Sequence, residues 1–153
     1  MTTEFQINDT DYRQKVTESF NRQDIMHTIN AAIDAISPGH VEISFPYHQS
    51  LTQQHDFIHG GIVSTVLDSA CGYAAFSLMP ADAGVLTIEF KVNLLSPAKG
   101  HRFKAIGRVK KPGKTITVSE GEMYAFTGDS EKLIATMVAT LMRVNDQQGT
   151  IIG

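Results

Sequence analysis

The sequence holds one cysteine, Cys71, in 153 residues. A single thiol excludes an internal disulfide framework and fits a reducing compartment, so a cytoplasmic protein is expected. There is no excess of basic residues: 13 Lys and Arg stand against 16 Asp and Glu, a net charge of −3. That balance argues against nucleic acid or an anionic membrane as partner, and an anionic ligand would need a local patch. The first twenty residues are polar and mixed in charge, without the basic start and apolar block of a secretory signal. The longest apolar stretch, "HGGIVSTVLDSACGYAAFSLM" (59–79), contains Asp68 and stops at Pro80, so a buried helix is expected rather than a membrane span. Paired cysteines are missing, and no metal is expected. Repeats, low-complexity segments and linkers are also missing, which points to one domain over 1–153.

What is present is enough for a core: 42% hydrophobic and 19% charged residues. The apolar spacing between Tyr12 and Ile36, with Phe20, Ile25, Ile29, Ala32, Ile33 and Ile36, predicts an N-terminal helical segment over about 10–36, ended by "SPG". A core over about 41–144 follows. "HVEISFPYH" alternates as a strand. "VLTIEFKVNLL" predicts a strand with Leu86, Ile88, Phe90, Val92 and Leu94 on one face and Thr87, Glu89, Lys91 and Asn93 on the other. "SPAKG" (96–100) reads as a turn between strands. Pro112 and Gly113 fit the centre of a type II hairpin turn, and Gly121 is a candidate bulge. "KLIATMVATLMRV", apolar and small on both faces, reads as a central strand, with a helix equally compatible with its periodicity, and the tail from Asn145 as frayed. Helix, strand, buried helix and a meander of four antiparallel strands predict an α+β fold whose sheet wraps one central helix.

Asp68 is the anomaly, because a lone carboxylate in an apolar helix costs energy unless something pairs with it or uses it. His59, Gly60 and Gly61 stand at the start of the same helix. A helix N-terminus offers free N–H groups and partial positive charge, and glycines let a carbonyl approach them. This is a candidate oxyanion hole. Nine residues separate His59 from Asp68, about 13–14 Å along the axis at about 1.5 Å per residue. One helix therefore cannot bring both to one carbonyl. Two helices packed antiparallel across a two-fold can, giving a homodimer with two composite sites.

"HGGxxxxxLDxA" (59–70) resembles the helix motif of hotdog-fold acyl-CoA thioesterases, of the phenylacetate-pathway type within the 4-hydroxybenzoyl-CoA thioesterase superfamily. "TIEFKVNLLSPAKG" (87–100) is similar to that group's next strand, and "GRVKKPGKT" (107–115) to its following hairpin. The resemblance runs from about Val41 to Val144. It implies a hotdog fold and a thioesterase that releases free acid and coenzyme A from an aryl- or medium-chain acyl-CoA. It implies that Asp68 acts as general base or nucleophile, that the Gly60 or Gly61 N–H polarises the carbonyl beside His59, and that Thr87 orients the water. Relatives carry Asn or Gln six residues before the histidine, here Gln53, with Gln54 beside it. It also implies no metal or separate cofactor, and dimers or dimers of dimers.

Coenzyme A is anionic, and Arg108, Lys110, Lys111 and Lys114 cluster around the Pro112–Gly113 turn as candidate phosphate contacts; Lys99 and His101 form a second patch. Tyr73, Phe76 and Met79 are candidates for the acyl pocket. Two other functions are open to such a chain: a non-catalytic acyl-CoA sensor, and a hotdog enoyl-CoA hydratase or dehydratase.

Overall fold

The computed structural model describes residues 4–145. Helices α1 (Tyr12–Asn21) and α2 (Asp24–Ile29) lead into strands β1 (Ala32–Ser37) and β2 (His40–Pro46). The long helix α3 (Gly60–Phe76) precedes β3 (Ala83–Leu94), β4 (Arg102–Lys111), β5 (Ile116–Thr127) and β6 (Ser130–Asn145). The strands form an antiparallel sheet in the order β1-β2-β4-β5-β6-β3, and α3 packs against all of β2 to β6. This is the α+β hotdog architecture. It explains the helix composition: Val66, Leu67, Ala70, Cys71 and Ala74 are fully enclosed. The tail beyond Asn145 lies outside the described residues.

Two glycines set the helix on the sheet. Gly107 of β4 stands opposite Gly121 of β5. A Cβ on Gly107 would lie 2.3 Å from the Ala70 carbonyl carbon, and one on Gly121 would lie 2.9 Å from Cys71 Sγ. Gly121 is therefore a close-packing position and not the bulge expected from the sequence. The ladder runs through it, and the irregularities fall at Val109/Lys111 and Met123/Tyr124.

The helical segment ends earlier than 36. Asn30 adopts a left-handed conformation (φ 60°) and caps α2. Residues 32–37 then form β1, and Ser37 pairs with His40 across Pro38 and Gly39, so "SPG" closes a β-hairpin. Ile33 and Ile36 pack onto the core from that hairpin, which satisfies the same apolar spacing that suggests a helix.

The last four strands are not a simple meander. β3 lies at the sheet edge beside β6, while β4 sits between β2 and β5. "SPAKG" is thus a crossover, held by Ile58 N–H to Ala98 O (3.1 Å) and Leu95 N–H to Ile134 O (2.8 Å). This order buries β6, apolar on both faces, between two neighbours. The turn at Pro112–Gly113 is not type II, since Gly113 lacks the positive φ that type requires. Gly113 is needed for space: a Cβ there would meet Ile116 O at 1.9 Å.

β3 also departs from simple alternation. Its register with β6 shifts between Thr87 and Glu89. Such a bulge reverses which residues face inward. Thr87 stands opposite buried Leu141, and Phe90, Val92 and Leu94 stand opposite Ala139, Met137 and Ala135, all inward residues of β6. Thr87 and the later apolar residues therefore share the helix side, and Leu86 faces away.

Candidate active site

The bulge aims Thr87 at α3. Its Oγ1 donates a 2.7 Å hydrogen bond to Asp68 Oδ1. Asp68 is half-buried, and burial pushes its carboxyl above the ordinary value of 3.8, with the Thr87 bond acting in the opposite direction. The second carboxylate oxygen has no protein donor among the described residues. A desolvated carboxylate with one oxygen anchored and one free suits proton abstraction.

A cleft of about 130 Å³ opens beside this pair, lined in part by Ser19, Gln23, Ser69 and Tyr73. Gln23 Nε2 donates to Tyr73 Oη at 2.8 Å, and Ser69 Oγ donates to Gln23 Oε1 at 3.2 Å. Ser19 Oγ lies 3.2 Å from the same phenol oxygen. Sequence reasoning missed Ser19, Gln23 and Ser69. Ser69 adjoins Asp68 and was legible in principle, but Ser19 and Gln23 arrive from α1 and its end, about fifty residues away in the chain. Of the candidate acyl-pocket residues, Tyr73 lines this cleft. Phe76 is buried against Tyr73 and under the Lys15 ammonium, 4.6 Å from its ring centre. Met79 lines a different cleft, at the end of α3.

His59 is the N-cap of α3, and its Nδ1 accepts the Gly61 N–H at 2.8 Å. The imidazole acceptor fixes the proton on Nε2. The Ile62 and Val63 N–H groups bond to His59 O. Gly60 N–H has no acceptor among the described residues, so it is the open donor at this end. Gly60 lines a cleft of about 410 Å³ with Gln53, Phe57, Val63, Leu94 and Pro97. Gln53 faces this cleft, and exposed Gln54 does not line it. Leu94 presses on Gly60 so closely that a Cβ there would meet its Cδ1 at 2.6 Å.

The cationic candidates separate. Arg108 pairs with Glu122 (3.5 Å) and Lys110 with Glu120 (3.7 Å) on the outer sheet face. Gly113 and Lys114 line the cleft at the C-terminal end of α3, and Lys111 is exposed. Lys99 and His101 line a cleft with Phe57, near the Gly60 end. Cys71 is buried, and burial with nearby Asp68 and Glu120 pushes its thiol up to about 12, so it is inert core. Among the described residues no cluster of potential metal ligands occurs, and no helix is long and apolar enough to cross a membrane.

A half-buried carboxylate and an open helix N-terminus are groups with the chemistry that hydrolysis uses, a base and an oxyanion donor. The family model described as the thioesterase superfamily matches residues 55–132, and the chain belongs to that superfamily. A thioesterase family protein from Silicibacter pomeroyi is 59% identical, over 88% of this chain and 98% of its own, with a TM-score of 0.87. A Saccharolobus solfataricus protein named as a candidate esterase is 30% identical over 76% of this chain and 75% of its own. The PaaI protein from the phenylacetic acid degradation operon of E. coli shares the fold at 16% identity, with a TM-score of 0.80 over 92% of this chain and 97% of its own.

Proposed function

We propose that the protein hydrolyses acyl-CoA thioesters in the cytoplasm, as a homodimer with two composite sites. The observation that carries this reading is the Asp68–Thr87 pair on the inner side of edge strand β3. The same strand ends with Leu94 against Gly60, so β3 links both halves of the chemistry. Its free edge carries exposed Ile88, Phe90, Leu94 and Leu95. Antiparallel pairing of two such edges about a centre near Phe90 and Lys91 puts Thr87 opposite the partner's Leu94. Asp68 then approaches the partner's Gly60 across a two-fold.

In this arrangement the thioester carbonyl accepts the Gly60 N–H of one protomer, and Asp68 of the other takes a proton from water. Thr87 holds one carboxylate oxygen, and the other orients the water. Water oxygen bonds to the carbonyl carbon, and the oxyanion rests at the helix N-terminus. Collapse breaks the carbon–sulfur bond, and the proton held by Asp68 passes to the departing thiolate. A positioned base contributes about 10²–10⁴-fold. A donor at the oxyanion contributes about 10²–10³-fold. A protein nucleophile is unnecessary, which agrees with an inert Cys71.

The test is coenzyme A release over a panel of aryl- and alkyl-CoA thioesters, followed with a thiol reagent. Turnover by the wild type and its loss in Asp68→Asn support the reading. Tight acyl-CoA binding without release from any thioester would replace it with the sensor reading.

A further inference from the structure

Gly72 stands four residues after Asp68 on the same face of α3, about 6 Å further along its axis. Glycine is the poorest helix former after proline, so one inside a 17-residue helix calls for a reason. At Gly107 and Gly121 the reason is close packing. At Gly72 it is not. Beyond its chain neighbours and its own helix backbone, the nearest atom to an added Cβ is Leu141 Cδ1, at an ordinary 4.0 Å. The missing side chain leaves space instead: Gly72 and Val85 complete the lining of the cleft of about 130 Å³ beside Asp68 and Thr87. The other side of that cleft is tied shut. Gln23, at the start of α2, accepts from Ser69 Oγ and donates to Tyr73 Oη, and the same phenol meets Ser19. One amide thus joins the N-terminal helices to α3 across the end of the cleft.

We propose that Gly72 and Gln23 decide which acyl groups the protein accepts: Gly72 keeps the cleft wide, and Gln23 sets its length. The proposal rests on the thioesterase reading. In the two-chain site the carbonyl lies between Asp68 and the partner's Gly60, and one arm of the thioester runs past Asp68 along α3. A closed cleft of about 130 Å³ has no room for the pantetheine arm with its nucleotide, so the acyl group is the arm that enters. An apolar cavity of about 150 Å³ admits benzene, so this cleft suits a ring or a short chain and not a long fatty acyl group. One methylene more or less in such a pocket changes kcat/KM by about 10–200-fold. A Cβ at position 72 takes space from the side of the cleft. Loss of the Gln23 amide adds space at its end.

The test measures kcat/KM for acetyl-, hexanoyl-, benzoyl- and dodecanoyl-CoA in wild type, Gly72→Ala and Gln23→Ala, with a thermal melt of each protein. In Gly72→Ala the hexanoyl-to-acetyl and benzoyl-to-acetyl ratios should fall about tenfold or more. Its melting temperature should rise by about 2–4 °C, because alanine is the better helix former and meets no clash. In Gln23→Ala the dodecanoyl-to-acetyl ratio should rise about tenfold. A glycine kept for packing would give the opposite sign of stability and an equal loss for every acyl group. Unchanged ratios in either variant overturn the proposal. So does a lower melting temperature or a failure to fold in Gly72→Ala, which would make Gly72 a packing residue like Gly107. Should the wild type release coenzyme A from none of the four thioesters, the hydrolytic reading fails by itself. The four acyl-CoAs then serve as intact ligands in calorimetry. The same shifts in the ratios of their dissociation constants support the role of the two residues, and unchanged ratios or undetectable binding overturn it.

Discussion

Thr87 Oγ1 lies 2.7 Å from Asp68 Oδ1, joining an edge strand to the central helix across nineteen residues of chain. The bond stabilises the carboxylate that burial destabilises. Thr87→Val removes the donor and keeps the shape. Its acid limb of kcat/KM should move to higher pH, and turnover should fall, while Thr87→Ser keeps the wild-type profile. A pH–rate profile of the three proteins checks this.

Asp68→Asn should lower kcat by about 10²–10⁴-fold, the range of a positioned base. Stability should move the other way. A carboxyl whose folded value is raised opposes folding once it ionises, and that cost disappears as pH falls. The amide removes the cost, so the melting temperature at pH 7 should equal or exceed that of the wild type. Circular dichroism melts read the sign.

Phe90→Lys places charge in the middle of the exposed β3 edge. It should yield monomers by light scattering and abolish turnover together, because in the proposed dimer each site draws on both protomers. An active monomer would refute the composite site.

Gly107→Ala forces a Cβ to 2.3 Å from the helix backbone at Ala70, which cannot yield without moving α3. Gly121→Ala is crowded by side chains, Cys71 Sγ at 2.9 Å and Leu67 Cδ2 at 3.0 Å, with Met137 Cβ at an ordinary 3.6 Å. Overpacking costs about 1–3 kcal/mol, and Gly107→Ala should lie at or beyond the top of that range, Gly121→Ala at the bottom. Urea unfolding separates the two.

On the outer sheet face, Lys104 bridges Glu42 (3.0 Å) and Asp34 (3.2 Å), and His40 reaches Glu42 at 3.0 Å. The His40 hydrogen bond and the Lys104 ammonium hold the Glu42 carboxyl below its ordinary 4.5. A lowered carboxyl contributes stability above its unfolded value and loses it as pH falls through the folded one. Wild type should therefore lose this contribution below about pH 4.5. Glu42→Gln should be less stable at neutral pH and flatter through that acid window. Denaturation at several pH values measures the difference.

The sequence alone determined much of this protein. The unbroken apolar helix, its lone carboxylate and its capped glycine start are local features, written in consecutive residues. They sufficed for naming Asp68 and Gly60 as candidates; the order of helices and strands along the chain carried the fold class, and the family resemblance added Thr87. Tertiary structure decided the rest. Period counting makes Thr87 an outward residue, and only the bulge against β6 turns it onto Asp68. Periodicity also makes 32–36 helical, whereas pairing with β2 makes it strand. Gln23 and Ser19 reach the Asp68 cleft only because α1 and α2 dock there. Gly61 offers an N–H in sequence, but the fold gives that N–H to His59 and leaves Gly60 open. In each case the deciding partner is distant in the chain, and its energy enters only when the sheet closes around the helix.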